Sequence, residues 1–393
     1  LSHLVPRSEI LNHALEGREI SKEEIISLYK NSKHKEYISD IFKTAHILRI
    51  QNKKNIITFS KKAFFNIINL CRDTCSYCTY KAEPTEREKL SLMSKQNVLE
   101  LVHMAKRFRC VEALFVTGES PEDRYKEARG WLHKNGFSST VEYLVYCSEI
   151  AIENGLYPHT NAGNLTKDQL RELKKTNPSM GLMLENSSQR LSEKGMPHYL
   201  APSKRPDKRI KVLQDAGELK IPMTTGILVG IGETIEEVID SVFTIRDIHK
   251  KYNHIQEIIL QNFQPKSDTQ MAEYPSAQES YFKLIVALTR IIMPDMNIQI
   301  PPNLSPRSYQ EFITAGINDW GGISPFTPDY VNPEFSWPQI AKIEDRCKEA
   351  GFDLQCRFPV YPEYFDFIHH SLREKMSDIQ EENTRFVKKE YWR

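Results

Sequence analysis

Cys71, Cys75 and Cys78 stand within one stretch of eight residues, in a C-x3-C-x2-C array. A chain with seven cysteines would show that spacing by chance roughly twice in a thousand sequences, so the triplet calls for a chemical reason. Thiolates are soft ligands that select iron–sulfur clusters, zinc or copper(I). A cubane cluster takes four cysteines. Three leave one metal position open, and an open position is what a catalytic metal site requires, as at catalytic zinc. The apolar run before the array, with Phe64, Ile67, Ile68 and Leu70, reads as a buried strand that ends where the cysteines begin. The array therefore belongs on a loop at a strand's C-terminal end.

The elements that must position such a loop alternate along the chain. Strand-like runs at residues 112–117, 157–161, 180–185, 223–229, 255–261, 296–300 and 318–322 follow the first strand. Between them lie helix-like runs, among them 141–154, 165–175, 209–216, 234–252, 280–292 and 308–315, with one more at 337–350. The run at 234–252 reads as the longest helix. Such alternation predicts a parallel sheet with right-handed crossovers. About eight strand–helix units predict an α/β fold, a (β/α)8 TIM-type barrel with extra N- and C-terminal helices.

The barrel is expected over residues 56–365. Residues 1–55 are charged but carry Ile25, Leu28, Ile41, Ala45 and Leu48 at helical spacing. They predict an N-terminal helical extension packed on the barrel; a solvated appendage is the competing reading. Residues 366–393 read as a polar C-terminal helical tail, and the charged piece 125–138 as a surface loop rather than a lid.

Composition narrows the class. Fifty-three basic against 52 acidic residues leave a net charge of +1, which gives no electrostatic case for nucleic acid or an anionic membrane as partner. Mean hydropathy is −0.51, and no apolar run approaches the roughly 18 residues of a membrane span. No secretory signal pattern opens the chain, which starts at Leu1 rather than Met and so leaves its natural start open. Cysteine usage suits a reducing cytoplasm better than a disulfide scaffold. Cys110, Cys147, Cys347 and Cys356 show no second paired motif and read as buried or incidental thiols rather than ligands of another cluster.

In a parallel barrel, catalytic groups gather at the C-terminal ends of the strands. Gly118 and Glu119 follow the second strand, His159 and Asn161 end the third, Glu185 and Asn186 end the fourth, and GILVGIGE, with Gly230 and Glu233, runs out of the fifth. Gln261, Asn303, Asp319 and Trp320 lie at later strand ends. Taken singly, each has a plain structural alternative. Glu119 and Glu233 suit the first turn of a helix, where the dipole favours acids. The others suit satisfied buried polar groups or core positions.

With Tyr77 as its aromatic, the array C-x3-C-x-aromatic-C resembles the signature of the radical S-adenosylmethionine (SAM) superfamily. That resemblance implies one 4Fe-4S cluster held by Cys71, Cys75 and Cys78, with SAM on the open iron and Tyr77 beside its adenine. Gly118 and Glu119 resemble the motif that binds the methionine amino group. Gly226 to Glu233 resembles the stretch whose backbone lines the adenine. Asn161, Glu185, Gly230 and Glu233 complete the implied cofactor contacts.

Longer strings, among them LCRDTCSYCTYKAEP, VTGESPED, PHTNAGNL, MGLMLENSS, EIILQNFQPK and AGINDWGGISP, are similar to the ring-closing (CofG-type) family of 7,8-didemethyl-8-hydroxy-5-deazariboflavin (FO) synthase subunits. The similarity covers residues 56–365. It implies a lyase that takes a hydrogen atom from a tyrosine-derived hydroxybenzyl-ribitylaminouracil adduct, after which the ring closes and ammonia leaves. It also implies a separate tyrosine-coupling radical SAM partner subunit and a one-electron donor such as ferredoxin or flavodoxin. A ribityl chain, a uracil and a phenol need amides, carboxylates and an apolar wall, which His159, Asn161, Gln261, Asn303, Asp319 and Trp320 are placed to supply. His159 is also the candidate proton acceptor, since histidine ordinarily titrates near neutrality.

Two rival classes remain beside this one. Another radical SAM enzyme, such as the tyrosine-coupling subunit or a menaquinone-pathway cyclase, shares the array but not the strings around Asp73, Asn303 and Trp320. A zinc-stabilised, non-enzymatic module needs a distant fourth ligand, the nearest downstream histidine being His103, and it leaves the strand-end motifs unexplained.

Overall fold

A computed structural model describes residues 8–393; residues 1–7 of the expected extension lie outside the described residues. The chain opens with α1 (Glu9–Leu15), α2 (Lys22–Asn31) and α3 (Lys35–Lys53). Ser21 and Glu24 form a capping box that fixes the start of α2. Ile25, Leu28, Ile41, Ala45 and Leu48 are all buried, so the charged outer face does not make these helices a solvated appendage. Helix α3 packs on the helices Glu279–Ile292 and Phe312–Ala315. Its buried Arg49 donates to the carbonyl oxygens of Ile317 (3.2 Å), Ile56 (2.5 Å) and Lys54. At 19 residues α3 is longer than the 18-residue helix Ile235–Tyr252, against the sequence expectation.

Eight parallel strands close into a barrel: β1 (Ile56–Ile68), β2 (Glu112–Thr117), β3 (Tyr157–Asn161), β4 (Ser179–Gly181), β5 (Met223–Val229), β6 (Ile255–Asn262), β7 (Ile298–Gln299) and β8 (Asp319–Ile323). Closure falls on β1, which pairs with β8 through Thr58–Lys61 and with β2 through Lys62–Ile68. The 13-residue length of β1 leaves room for a ninth strand that the sequence reading did not count. This is β9 (Asp353–Cys356), which pairs with Ile56–Phe59 below β2.

Alternation sets what faces inward. Paired positions Lys62 and Glu112, Thr224 and Glu257, and Leu228 and Gln261 all border the interior cavity.

Several boundaries differ from the pattern-based expectation. The fourth strand stops at Gly181 rather than 185, because Glu185 takes a left-handed backbone (φ +65°) and rejoins the sheet only through a single bridge to Ile227. The stretch 125–138 is not a loop: Lys126–Lys134 is helical, with Ala128 and Leu132 buried at i, i+4 and charges on the outer face. The tail is less polar than it reads. Val387 and Trp392 are buried, with the indole edge-on to Phe59 at 5.2 Å.

Beyond β9 the chain crosses beneath the N-terminal ends of the strands. Pro359 O accepts from Ser179 Oγ (2.6 Å) and Gln256 Nε2 (3.0 Å), and Tyr361 N donates to Gln256 Oε1 (3.1 Å). This strap floors the barrel. Among the described residues no helix is long and apolar enough to cross a membrane.

Candidate active site

A cavity of about 360 Å³ fills the barrel between the strap and the loops at the strands' C-terminal ends. The cysteine loop forms its upper wall, and Cys71, Cys75 and Cys78 all border it. Main-chain bonds hold the loop from several sides: Thr74 N to Leu200 O (2.8 Å), Ser76 N to Pro197 O (2.9 Å), Met271 N to Ser76 O (3.2 Å) and Arg72 N to Glu119 O (2.8 Å). Glu119 N donates to Cys71 Sγ (3.2 Å). Only glycine fits at position 118, since a Cβ there would collide with the main-chain carbonyl of Leu70.

None of the three thiols is in a disulfide. Burial pushes Cys71 up to about 11 and Cys75 higher still, and the neighbouring Cys78 thiol adds to both rises. A bound metal cluster inverts that logic, because coordinated thiols are deprotonated outright. Among the described residues no three Cys, His, Asp or Glu side chains converge as the shell of one ion. A cubane spreads its thiolates over separate irons, so a spaced triplet on one loop suits it.

Ion pairs that the sequence did not announce stand beside the loop. Lys204 Nζ donates to Glu185 Oε1. Burial alone would lift the Glu185 carboxyl, but Lys204, and then Arg209, hold it below the usual range. Glu119 accepts from Asn164 N (3.0 and 3.2 Å) and faces Arg209 at 3.6 Å; burial still leaves its carboxyl above the usual range. Tyr77 OH lies 3.0 Å from His198 Nε2. Glu119, Glu185, Tyr77 and Asn161 therefore meet the cysteines at one cavity. Gly230 and Glu233 do not. The Glu233 carboxylate accepts from Gly230 N (2.7 Å) and Ile231 N (2.8 Å), which ties off the turn after β5, and Leu228 is the residue of that stretch on the cavity wall.

Of the expected substrate contacts, His159, Gln261 and Trp320 border the cavity. Ser179 spends its hydroxyl hydrogen on Pro359 O, so its oxygen accepts from His159 Nδ1 (2.7 Å) and Nε2 is left as an acceptor. The Nε2 edge is open because position 181 is glycine; a Cβ there would lie 2.8 Å from it. Burial pushes the imidazole down to about 4, so it is neutral at pH 7 rather than poised to titrate there.

Asn303 and Asp319 do not border the cavity and are held in other contacts. Asn303 Nδ2 donates to Asp329 (3.1 Å) and Phe335 O (3.2 Å). Asp319 is fully buried and accepts from Arg357 Nε (2.7 Å) and Thr58 Oγ1 (2.5 Å). Trp320 touches the cavity wall, but its Nε1 reaches Cys347 Sγ (3.4 Å) and its ring meets Tyr309 edge-on at 5.2 Å.

The cavity floor is ionic. Lys62 pairs with Glu112 at 2.7 Å, and Arg357 reaches up from the strap to Glu257 at 2.9 Å. The signal was in the strands: a lysine or glutamate at an inward register of an apolar run, as in SKKAFF and IQEIILQ.

Comparison with known proteins agrees with this geometry. The profile of the Radical SAM superfamily matches residues 65–245. The chain is 44% identical over 330 residues to the 7,8-didemethyl-8-hydroxy-5-deazariboflavin synthase of Methanopyrus kandleri, covering 83% of this chain and 98% of that protein. It is also 44% identical over 323 residues to the FO synthase of Streptomyces coelicolor, covering 81% of this chain but 37% of that longer protein. Among solved structures, HydG, a maturase of the [FeFe]-hydrogenase, superposes with a TM-score of 0.73 at 18% identity, covering 89% of this chain and 75% of that one. Methylornithine synthase superposes with a TM-score of 0.69 at 17% identity, covering 88% and 97%. These two likenesses concern the fold.

Proposed function

The chain belongs to the radical SAM superfamily and, within it, to the 7,8-didemethyl-8-hydroxy-5-deazariboflavin synthase family, and from that premise we propose that it is the ring-closing lyase subunit. Membership implies a 4Fe-4S cluster and SAM. When bound, this pair supplies a 5′-deoxyadenosyl radical by one-electron cleavage of SAM. The observation that carries the reading is that the three free cysteines and the strand-end groups Glu119, Asn161 and Glu185 border a single floored cavity.

In this reading Cys71, Cys75 and Cys78 hold the cluster. Glu119, with Gly118 packed under the loop, takes the ammonium end of SAM, and Glu185 and Asn161 take its polar remainder. The charged pairs are already built, so the groups are oriented before the cofactor arrives. Tyr77, steadied by His198, supplies a flat apolar surface for the adenine. Deeper in the barrel, His159 Nε2 and Gln261 present an acceptor and an amide to the hydroxybenzyl-ribitylaminouracil adduct, with Leu114 and Ile259 as an apolar belt. A floored barrel keeps water and stray hydrogen donors from a radical.

Ring closure with loss of ammonia makes the enzyme a lyase. Its adduct then comes from a tyrosine-coupling partner, a role for which the unmatched remainder of the longer Streptomyces protein leaves room. A ferredoxin or flavodoxin is the class of electron donor required, and seven unpaired cysteines suit the cytoplasm.

The test is anaerobic turnover of reconstituted protein with SAM, a reductant and the adduct, following deazaflavin fluorescence and 5′-deoxyadenosine together. Both are expected, and Cys75→Ala should give neither. Formation of 5′-deoxyadenosine without the fluorescent product would remove the substrate assignment.

A further inference from the structure

Glu257 lies at the bottom of the reaction cavity, on β6, and is almost wholly buried. Its Oε1 accepts from Tyr361 OH (2.7 Å) and Arg357 Nη2 (2.9 Å), and its Oε2 from Thr224 Oγ1 (3.1 Å). With its side-chain amide turned so that the nitrogen faces the carboxylate, Gln299 completes the set at 2.9 Å from Oε1. Tyr361 belongs to the strap, and it also lines a second cavity, of about 240 Å³, on the far side of the floor. That cavity is bordered by the exposed residues Asn52, Lys54 and Glu363. Glu257 and Tyr361 therefore stand in line between the closed interior and the solvent side of the barrel's N-terminal end.

We propose that Glu257 is the proton acceptor of the reaction cavity and that Tyr361 passes its protons through the floor to the second cavity. The proposal rests on the ring-closing function above, in which forming the aromatic ring releases a proton, while the leaving amine takes one up to depart as ammonia. The cysteine loop and the cofactor-binding groups occupy the other end of the cavity, so an exit through the floor keeps proton traffic away from them. An N–H bond of the bound adduct breaks, its electron pair stays on nitrogen, and the proton goes to the Glu257 carboxylate. In the resting state the Tyr361 hydroxyl donates to Glu257; once Glu257 is a neutral acid the hydroxyl turns its hydrogen toward water in the second cavity, accepts the acid's proton on its oxygen and releases its own to that water. The carboxylate is regenerated, and no oxidant or reductant is consumed.

The groups facing Glu257 set its proton affinity. Burial is the largest influence and raises it; Arg357 on the strap holds it down; Asp319 on β8 raises it; Tyr361 and Lys62 on β1 hold it down. The balance lies at about 7, where a base both accepts and releases a proton readily. Thr224 and Gln299 are neutral. His159, pushed down to about 4 by burial, is much the weaker base.

Two measurements on the reconstituted full chain test this. Infrared titration without substrate should show a protonated carboxylic-acid band that disappears as pH rises through neutrality and is missing in Glu257→Gln. Absence of the band from wild type overturns the proposal whatever the substrate proves to be. In turnover with the adduct, Glu257→Gln should lower kcat by about 100-fold or more with KM within about threefold, while 5′-deoxyadenosine outruns product. Tyr361→Phe keeps the ring and its packing; it should retain the infrared band yet slow turnover about 100-fold, a proton-relay loss at the low end of the general acid–base range. Wild-type rates for both variants between about pH 6 and 9 would overturn the relay. A wild type that shows the band but makes no deazaflavin would instead count against the ring-closing function.

Discussion

Lys62 lies across the bare face of Gly322: the missing Cβ of that glycine is the space its Cε and Cδ occupy, and its ammonium ends 2.7 Å from Glu112. Strands β8, β1 and β2 thus cooperate in one buried ion pair, with β8 contributing an absence. Ser60 Oγ adds a 2.5 Å bond to the second oxygen of Glu112. Burial alone would raise that carboxyl, but Lys62 keeps it below the usual range.

Substituting Gly322→Ala should therefore act on Lys62. Forcing a methyl into that space costs about 1–3 kcal/mol by the usual toll of overpacking. Lys62→Met should cost more, about 3–5 kcal/mol, because it leaves Glu112 buried without its cation. Denaturant unfolding of the two variants checks the order. Equal stability of Gly322→Ala and wild type would show that the lysine does not need the gap.

Acid should weaken the fold through its buried histidines. Burial pushes His159 and His254 each from 6.5 down to about 4. Both folded values lie below the unfolded one, so between pH 6.5 and 4 the unfolded chain binds protons that the folded chain refuses. The share of stability due to these histidines is full above about 6.5 and falls as pH drops toward 4, by about 3 kcal/mol for each group. His254→Leu should remove one such share, seen as a shallower loss of unfolding free energy across that window. An unchanged slope would mean that His254 is protonated in the folded protein.

The barrel and the cysteine loop were legible because both are written locally. Apolar runs of strand length alternate with helical periodicity, and the triplet is its own signal. The floor was not legible, because its partners come from distant places: Glu257 meets Arg357 and Tyr361 from a strap about a hundred residues later in the chain. Strand-end position also misled. Asp319 stands at the N-terminal start of β8, not at its end, which is why it joins the floor instead of the mouth. Residues 125–138 were misread because charge on the outer face of a short helix looks like the charge of a loop.

The Lys204–Glu185 pair should separate fold from cofactor binding. Both side chains are nearly buried, so Lys204→Met is expected to cost about 3 kcal/mol or more through the stranded carboxylate. Glu185→Gln keeps a polar group of the same size and should cost less. If Glu185 meets SAM, both variants should weaken SAM binding about tenfold or more, about the 1.4 kcal/mol lost with one hydrogen bond to a charged group. Calorimetric titration of SAM into reconstituted protein reads this directly. Unchanged affinity in both would leave the pair a structural one.

Trp320 borders the cavity yet is tied into the core. It carries an aromatic ring, the type of residue expected to stack on a substrate, yet that ring is buried against Tyr309 and its Nε1 reaches Cys347. Its contribution should therefore appear in stability and not in substrate affinity. Trp320→Phe keeps an aromatic ring but loses volume and the contact to sulfur, so it should lower stability by about 1–3 kcal/mol, less than the 3–5 kcal/mol of a truncation to alanine. The KM for the adduct should stay within about twofold of wild type, the scatter expected where no contact to substrate is lost. A large rise in KM with an unchanged melting temperature would put the indole back at the substrate.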